Sequence, residues 1–279
     1  MNQRTLATSI FAKGKVGGLK DEVLFSLNPA PVNNGVTIRR TDISPHYEFQ
    51  VGETVDTDDF DSLSLRNLVA TLHAVGVDNV IIDVFGATLP PMCGAAKTYI
   101  FLIESAGIVE QSHKREYFEI IEELSLEQDK TRIRLLPSDN LRITCFSKQD
   151  IKPENRSAAY QIVEISQSLF RSQLCRARQL NVLQKALNQK NLTAHQVEQL
   201  QREVRSRCLL DLLGILAMLG APLKAHYIGF NVDQRVSCLL VDLLTSSQLS
   251  VRYPVSLQKT FVDITNLGVK TSKREQAAV

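Results

Sequence analysis

Residues 27–42 read LNPAPVNNGVTIRRTD and contain a turn between two apolar runs. The turn, PAPVNNG at residues 29–35, is rich in Pro, Asn and Gly, which supply the backbone angles of a tight chain reversal. The segments on either side, residues 22–31 and 35–43, are short and carry Val, Leu, Phe and Ile. This pattern predicts two strands joined by that turn.

A helix, a strand and a second helix are predicted to follow. Residues 62–76, SLSLRNLVATLHAVG, have apolar side chains at helical spacing, and Gly76 marks the end of the helix. Residues 77–86, VDNVIIDVFG, have the continuous apolar run of a buried strand. Residues 95–107, AAKTYIFLIESAG, predict a second helix that Gly107 terminates.

The same order of elements starts again in the second part of the chain. The predicted elements are three strands in residues 117–146, a helical region at 168–189, a long helix at 193–220 capped by Thr193, a strand at 226–232 and a helix at 235–247. Two successive units of strands followed by helices predict an α+β protein with two halves. We expect the first half to span residues 1–113, the second 114–265, and a polar tail 266–279.

Several segments resemble one enzyme family, the zinc-dependent UDP-3-O-acyl-N-acetylglucosamine deacetylases of lipid A biosynthesis. The resemblance covers most of residues 3–245 and keeps the family's order. The segments are LNPAPVNNGVTIRRTD (27–42), RTLATSI (4–10), LHAVGVDNVIIDVFGATLPPMCGAA (72–96), RSQLCRARQL (171–180) and LLDLLGILAMLG (209–220). The resemblance implies two tandem β-α-α-β halves whose helices are sandwiched between two sheets.

The resemblance also implies where a zinc site would lie. The family holds zinc with a His on a helix of the first half and a His-x-x-x-Asp pair on a helix of the second half. A Glu before the first His is the general base, a further His is the general acid, and a Lys lies beside a ligand. Zinc requires three such protein ligands and one open position for the activated water.

The zinc-ligand positions carry other residues in this chain. The resemblance places Asn67 at the first His, and Arg207 and Asp211 at the His-x-x-x-Asp pair. Only Asp211 keeps the residue type of the family. A guanidinium stays protonated and cannot become a metal ligand. The sequence therefore predicts that the zinc site is lost and that the chain binds no cofactor.

The catalytic positions are altered in the same way. The resemblance places Arg66 at the general base, Cys208 at the Lys and Asp233 at the general-acid His. Lys20, in GGLK, stands at a further His of the family. No general base is left at position 66, because an Arg side chain carries no proton acceptor.

Arg207 and Asp211 are four residues apart on a predicted helix, so their side chains share one face. We expect them to form an ion pair, since the forked donors of a guanidinium match a carboxylate. Arg66 is expected to approach from the other half. The hypothesis is an Arg–Asp cluster at the former metal position.

Two inserts of the family are also shortened. The linker GETVDTDDFDSLS, residues 52–64, replaces a β-hairpin insert, and residues 188–204 are short and helical where the family has an acyl-chain passage.

Catalytic and acyl-binding features are lost while packing features are kept. We therefore interpret the chain as a catalytically inactive homologue, a pseudoenzyme, that binds a protein partner linked to lipid A and lipopolysaccharide biosynthesis. The partner is the genuine deacetylase, its regulator or protease, or another envelope-precursor enzyme.

Two alternatives stay open. One is a divergent deacetylase or hydrolase with a site rebuilt from His73, Cys208 and Asp211. The other is a UDP-sugar sensor that has kept nucleotide binding. For the sensor, the candidate anion-binding side chains are Arg171, Arg176 and Arg178. Charge runs are more commonly solvated and partly paired helix faces.

Composition limits the classes of partner. The chain has 279 residues and a formal net charge of +2, from 32 basic and 30 acidic side chains, so no charge excess favours nucleic acid. The first twenty residues lack the apolar run of a signal peptide. No segment has the roughly 18 apolar residues of a membrane helix. We expect a cytoplasmic protein without a membrane span.

Overall fold

The structure is a computed structural model that describes most of the chain. The described residues are 1–15, 22–43, 47–52, 63–86, 89–90, 96–146, 162–232, 234–246 and 261–263. The predicted tail and two of the predicted site residues, Lys20 and Asp233, lie outside them.

The strands of the first half form one sheet and one separate pair. They are β1 (Asn2–Leu6), β2 (Ile10–Lys15), β3 (Glu22–Pro29), β4 (Val36–Arg40), β5 (Tyr47–Gln50), β6 (Val80–Phe85) and β7 (Ile108–Lys114). The sheet has the order β2–β3–β6–β4–β5, and β1 pairs with β7. The two strands predicted around the first turn are confirmed as β3 and β4.

The predicted turn carries the chain from one side of β6 to the other. β3 is antiparallel to β6, with Leu27 opposite Ile82, whereas β4 runs parallel to β6 on its far side. Asn33 and Gly35 in the turn have φ values of 62° and 66°, in the left-handed region that Asn and Gly tolerate. Strand β6 is therefore central, consistent with its apolar sequence VIIDVF.

The two helices predicted in the first half are confirmed. They are α1 (Leu63–Val75) and α2 (Lys97–Ala106). Gly76 and Gly107 follow them with φ values of 81° and 74°, so glycine ends both helices as expected.

Arginine side chains hold the N-terminal strand to the end of α1. Arg4 donates from Nε to the carbonyl oxygen of Gly76 at 2.9 Å and also hydrogen-bonds the carbonyl of Val75. Arg115 Nε donates to Asp78 Oδ1 at 2.7 Å. Cations are favourable here because the last carbonyl groups of a helix carry partial negative charge.

The second half contains a six-stranded sheet. The described strands of this half are β8 (Phe118–Glu119), β9 (Leu124–Gln128), β10 (Thr131–Leu136), β11 (Arg142–Phe146), β12 (Ile162–Glu164), β13 (Leu223–Lys224), β14 (His226–Phe230) and β15 (Phe261–Asp263). The sheet has the order β12–β11–β14–β10–β9–β15, while β8 and β13 form a short parallel pair. The predicted boundary between residues 113 and 114 falls inside β7, and the division at that point stays a prediction.

The helical region predicted at residues 168–189 is interrupted. It consists of α3 (Gln167–Ser172), a 3₁₀ turn (Leu174–Arg176) and α4 (Leu180–Leu187). Ala177 is extended, with ψ of 123°. The interruption places Leu174, Cys175 and Ala177 in the interior, so core packing accounts for the break in an otherwise helical pattern.

The long predicted helix is confirmed as α5 (Ala194–Ala217), and the helix predicted after the last strand of this region is confirmed as α6 (Gln234–Ser246). Thr193 caps α5 in a capping box, accepting from the backbone N–H of Gln196 while the Gln196 side chain accepts from that of Thr193. None of the helices in the described segments is long and apolar enough to span a membrane.

The two halves contact each other closely at two places. Helices α1 and α5 meet at Gly214, where an added Cβ would lie 2.9 Å from Arg66 Cβ. Gly52, after β5, meets Gly220, after α5, and a Cβ at Gly220 would lie 2.5 Å from the Val51 carbonyl oxygen. The two sheets, the helices and these contacts confirm the predicted α+β class with two halves.

Candidate functional site

Arg207 and Asp211 form the predicted ion pair on α5. Arg207 Nη2 donates to Asp211 Oδ1 at 2.6 Å, and Arg207 Nε donates to Asp211 Oδ2 at 3.1 Å. Both carboxylate oxygens are therefore engaged by one guanidinium. The Arg207 side chain is 1% exposed and that of Asp211 is 33% exposed.

Burial makes hydrogen-bonding partners necessary for Arg207. A buried guanidinium without a partner loses its hydration and gains nothing in return. The i, i+4 spacing on α5 brings the two side chains together without a long-range contact. Two parallel N–H···O bonds to one carboxylate also fix the orientation of both groups.

Arg66 and Asn67 come to the same region from α1. Both are buried, at 7% and 4% exposure. Arg66 packs against Gly214, three residues beyond Asp211 on α5. The expected approach of Arg66 from the first half is thus observed, whereas a direct contact between Arg66 and Asp211 stays a prediction.

The Asn67 side chain has an unsatisfied acceptor. Its Oδ1 atom is buried and has no hydrogen-bond partner among the described residues, whereas its backbone carbonyl accepts from Thr71 Oγ1 at 2.6 Å. A buried polar atom without a partner destabilises a fold by roughly 1–3 kcal/mol. Asn67 therefore marks a point where the packing of α1 is not optimised for stability.

The other two predicted catalytic positions are Cys208 and Asp233. Cys208 is exposed, beside the buried Arg207 on the same helix. Asp233 lies outside the described residues. Sequence reasoning found the ion pair from its spacing but gave no signal for the close approach at Gly214 or for the orphaned oxygen of Asn67.

The donor set at these positions does not fit zinc. Both oxygens of Asp211 accept from Arg207, Arg207 cannot lose its proton, and the Asn67 amide is a weak, neutral ligand. Within the described segments, no group of three or more His, Cys, Asp or Glu side chains is placed to hold a metal ion. No chemical step through a metal follows from these residues.

His73 lies apart from this cluster, at the other end of α1. It belongs to the last turn of α1, and its backbone carbonyl accepts from Arg115 Nη2 at 3.3 Å. Burial, together with the charge of Arg115, lowers the pKa of the His73 imidazole to about 3. The alternative of a metal site rebuilt from His73, Cys208 and Asp211 finds no support, since these three described residues form no such group.

The low pKa of His73 predicts a pH-dependent stability. Its pKa is about 3 in the folded chain and 6.5 when unperturbed, so the unfolded chain takes up a proton first as the pH falls. The stabilisation is complete above pH 6.5 and is lost towards pH 3. Between pH 7 and 5, the unfolding free energy should fall by about 2 kcal/mol more in the parent chain than in His73→Gln.

Urea denaturation at pH 8, 7, 6 and 5 measures this difference. His226, whose pKa is also lowered by burial, is present in both chains and cancels in the comparison. Parallel pH profiles for the parent chain and His73→Gln would show that His73 is not held neutral by the fold.

Two of the three candidate anion-binding arginines already have carboxylate partners. Arg171 pairs with Glu104, and Arg178 donates to Glu203 from Nε at 2.9 Å and from Nη2 at 2.7 Å. The Arg178 guanidinium lowers the pKa of Glu203. Arg176 is exposed. Anion binding at Arg171, Arg176 and Arg178 stays a prediction.

Two α+β halves, joined through central helices with polar residues buried at their contact, are the arrangement that the resemblance to the deacetylase family implies. The family model for UDP-3-O-acyl N-acetylglycosamine deacetylase matches residues 3–246, and the chain belongs to that family.

Curated relatives support this membership. A UDP-3-O-acyl-N-acetylglucosamine deacetylase of Pseudomonas entomophila is 30% identical over 191 residues, covering 64% of this chain and 62% of the relative. The protein of that name from Shewanella halifaxensis is 32% identical over 188 residues, covering 63% and 61%. The match to the Cellvibrio japonicus protein is 28% identical and covers 87% and 91%. The matches to the Pseudomonas entomophila and Shewanella halifaxensis proteins span about three fifths of the length of each of those relatives.

Proposed function

We propose that this chain is a catalytically inactive member of the deacetylase family that acts in the cytoplasm by binding a protein partner linked to lipid A biosynthesis. The observation that carries the proposal is the bidentate ion pair between Arg207 and Asp211. It occupies the carboxylate of Asp211, which the resemblance places at a zinc-ligand position of the family.

Amide hydrolysis of the family's kind needs a metal-activated water and a general base. A metal at Asp211 would have to displace the Arg207 guanidinium, which is 1% exposed. Displacement would break both hydrogen bonds between this buried cation and the Asp211 carboxylate, which is unfavourable. The residue that the resemblance places at the general-base position is Arg66, which is buried and cannot accept a proton.

The remaining features support a binding role. The core packing of both halves, the capped α5 and the close contacts at Gly214 and Gly220 are intact. A stable fold with an altered centre still presents a surface to partners. The expected partners are the genuine deacetylase of the same cell, its regulator or protease, or another envelope-precursor enzyme.

One assay tests both inactivity and regulation. Acetate release from UDP-3-O-acyl-N-acetylglucosamine is measured with added zinc for this chain alone, for the genuine deacetylase alone and for their mixture. We expect no release by this chain alone and a saturable change in the rate of the mixture. Affinity capture with the purified chain extends the search to the other two classes of partner.

A control separates trace contamination from activity of the chain. Release that persists unchanged in Asp211→Asn comes from contaminating enzyme. Zinc-dependent release that disappears in Asp211→Asn would contradict the proposal. A chain that changes no rate and captures none of the three classes of partner would overturn the binding role.

A further inference from the structure

A cavity of about 490 Å³ lies between the two halves, at the end of α1 opposite to Asn67. Its walls come from both halves. The lining includes the polar side chains of Gln3, Asn33, Gln50, His73, Tyr117 and Thr245. This volume lies within the range of small-molecule sites in proteins.

Four lining residues carry polar groups that are not used by the fold. Within the described part of the chain, no hydrogen bond is made by Asn33 Nδ2, by Gln50 Oε1, by the Tyr117 hydroxyl or by the ring nitrogens of His73. None of these atoms is among the buried, unsatisfied atoms of the described residues, and their side chains line the cavity. The cavity thus offers donors and acceptors to a ligand.

A network of side-chain amides fixes the position of these groups. Asn79 Nδ2 donates to Gln3 Oε1 at 2.9 Å, and Gln3 Nε2 donates to Asn33 Oδ1 at 2.8 Å. The Gly35 amide donates to Asn79 Oδ1 at 2.8 Å. Because its oxygen is taken by Gln3, Asn33 is held with its amide nitrogen free to donate. The wall is therefore ordered before any ligand arrives, which favours binding.

The charges of the wall disfavour an anionic ligand. Among the described lining residues there is no Lys or Arg, and the charged ones are Asp78 and Glu116. Asp78 is neutralised by Arg115 at 2.7 Å. The low pKa of His73 keeps its imidazole uncharged at neutral pH. The two cations in the wall of the adjoining smaller cavity, Arg115 and Lys224, are paired with Asp78 and Glu119, so a diphosphate would have to compete with these carboxylates.

A smaller cavity continues the first. Its volume is about 210 Å³, and it shares His73, Tyr117, Ala221 and Pro222 with the larger one. The Tyr117 ring lies at the junction, with Lys224 Nζ 4.3 Å from its centre. The two spaces therefore adjoin at Tyr117.

We propose that this inter-half cavity binds an uncharged, hydroxyl-rich molecule of saccharide size. Hydroxyl groups both donate and accept hydrogen bonds, which matches a wall with amide, imidazole and phenol groups of both kinds. The inference goes beyond the proposed function, since it concerns a site away from the former catalytic centre.

Isothermal titration calorimetry of the full chain tests the proposal. The probes are glucose, N-acetylglucosamine and its β-1,4-linked disaccharide, with UDP as the anionic comparison. We expect saturable binding of at least one saccharide and none of UDP. Ala221→Leu, which fills the junction of the two cavities, and His73→Leu, which removes the imidazole, should each weaken that binding by about tenfold or more.

Ala186→Leu on α4, away from the cavity, is the matched control and should bind like the parent chain. The proposal is overturned when no saccharide binds at tens of millimolar concentration. It is equally overturned when UDP binds and Ala221→Leu abolishes that binding, or when both cavity variants keep full saccharide affinity. If Ala221→Leu fails to fold, the His73→Leu result alone supports or contradicts it.

Discussion

Replacing Arg207 by Met should lower the unfolding free energy by about 2–3 kcal/mol. The substitution keeps much of the buried apolar stem but leaves the Asp211 carboxylate without its two hydrogen bonds. Breaking a buried ion pair by removing one partner is strongly destabilising. We expect less than the full effect of a buried pair, because Asp211 is 33% exposed and water can replace part of the interaction. Urea denaturation at pH 7 measures the change.

The same helix supplies a matched control. Arg202 and Glu198 are also an i, i+4 pair on α5, with both side chains 66% exposed. Arg202→Met should change the unfolding free energy by no more than about 0.5 kcal/mol. The double variant Arg207→Met with Asp211→Leu should recover part of the loss, since the Asp211 carboxylate is then removed together with the guanidinium. Equal effects of Arg207→Met and Arg202→Met would contradict the importance of the buried pair.

Gly220→Ala should destabilise the chain by about 3 kcal/mol or more. Gly220 has φ of 78°, and its added Cβ would lie 2.5 Å from the Val51 carbonyl oxygen and 2.9 Å from Gly52 Cα. Both neighbours are backbone atoms of the other half, so no side-chain rotation relieves the overlap. Backbone strain and overpacking each contribute about 1–3 kcal/mol.

Gly35→Ala is the control for the strain of positive φ. Gly35 has φ of 66°, and a Cβ there would meet the end of the Gln50 side chain at 2.8 Å, which can move. We expect a loss of only about 1–2 kcal/mol. The difference between the two variants measures the close backbone contact of the halves, and equal losses would show that this contact is unimportant.

Local signals in the sequence predicted most elements but not their partners. Gly76, Gly107 and Thr193 act through their own backbone or nearest turn, so the ends of α1 and α2 and the start of α5 were predictable. Insertion of β6 between β3 and β4 depends on pairing over some fifty residues. Local propensity carries no information about such pairing. The break at Ala177 likewise depends on burial in the completed core.

The candidate site likewise contains a local feature that the sequence predicts and long-range contacts that it does not. The Arg207–Asp211 pair is local to one helix, and its spacing predicted it. The contact between Arg66 and Gly214 joins the two halves, and only the packed helices reveal it. The inter-half cavity combines Gln3, Asn79 and Thr245, which share no motif, so no pattern in the sequence predicts it.

Zinc content of the purified chain tests the central claim most directly. The chain is incubated with excess zinc, dialysed without chelator and analysed for metal, alongside Asp211→Asn. With the Arg207 guanidinium holding both oxygens of Asp211, we predict far less than one zinc per chain and no difference between the two proteins. One zinc per chain in the parent, lost in Asp211→Asn, would contradict the account.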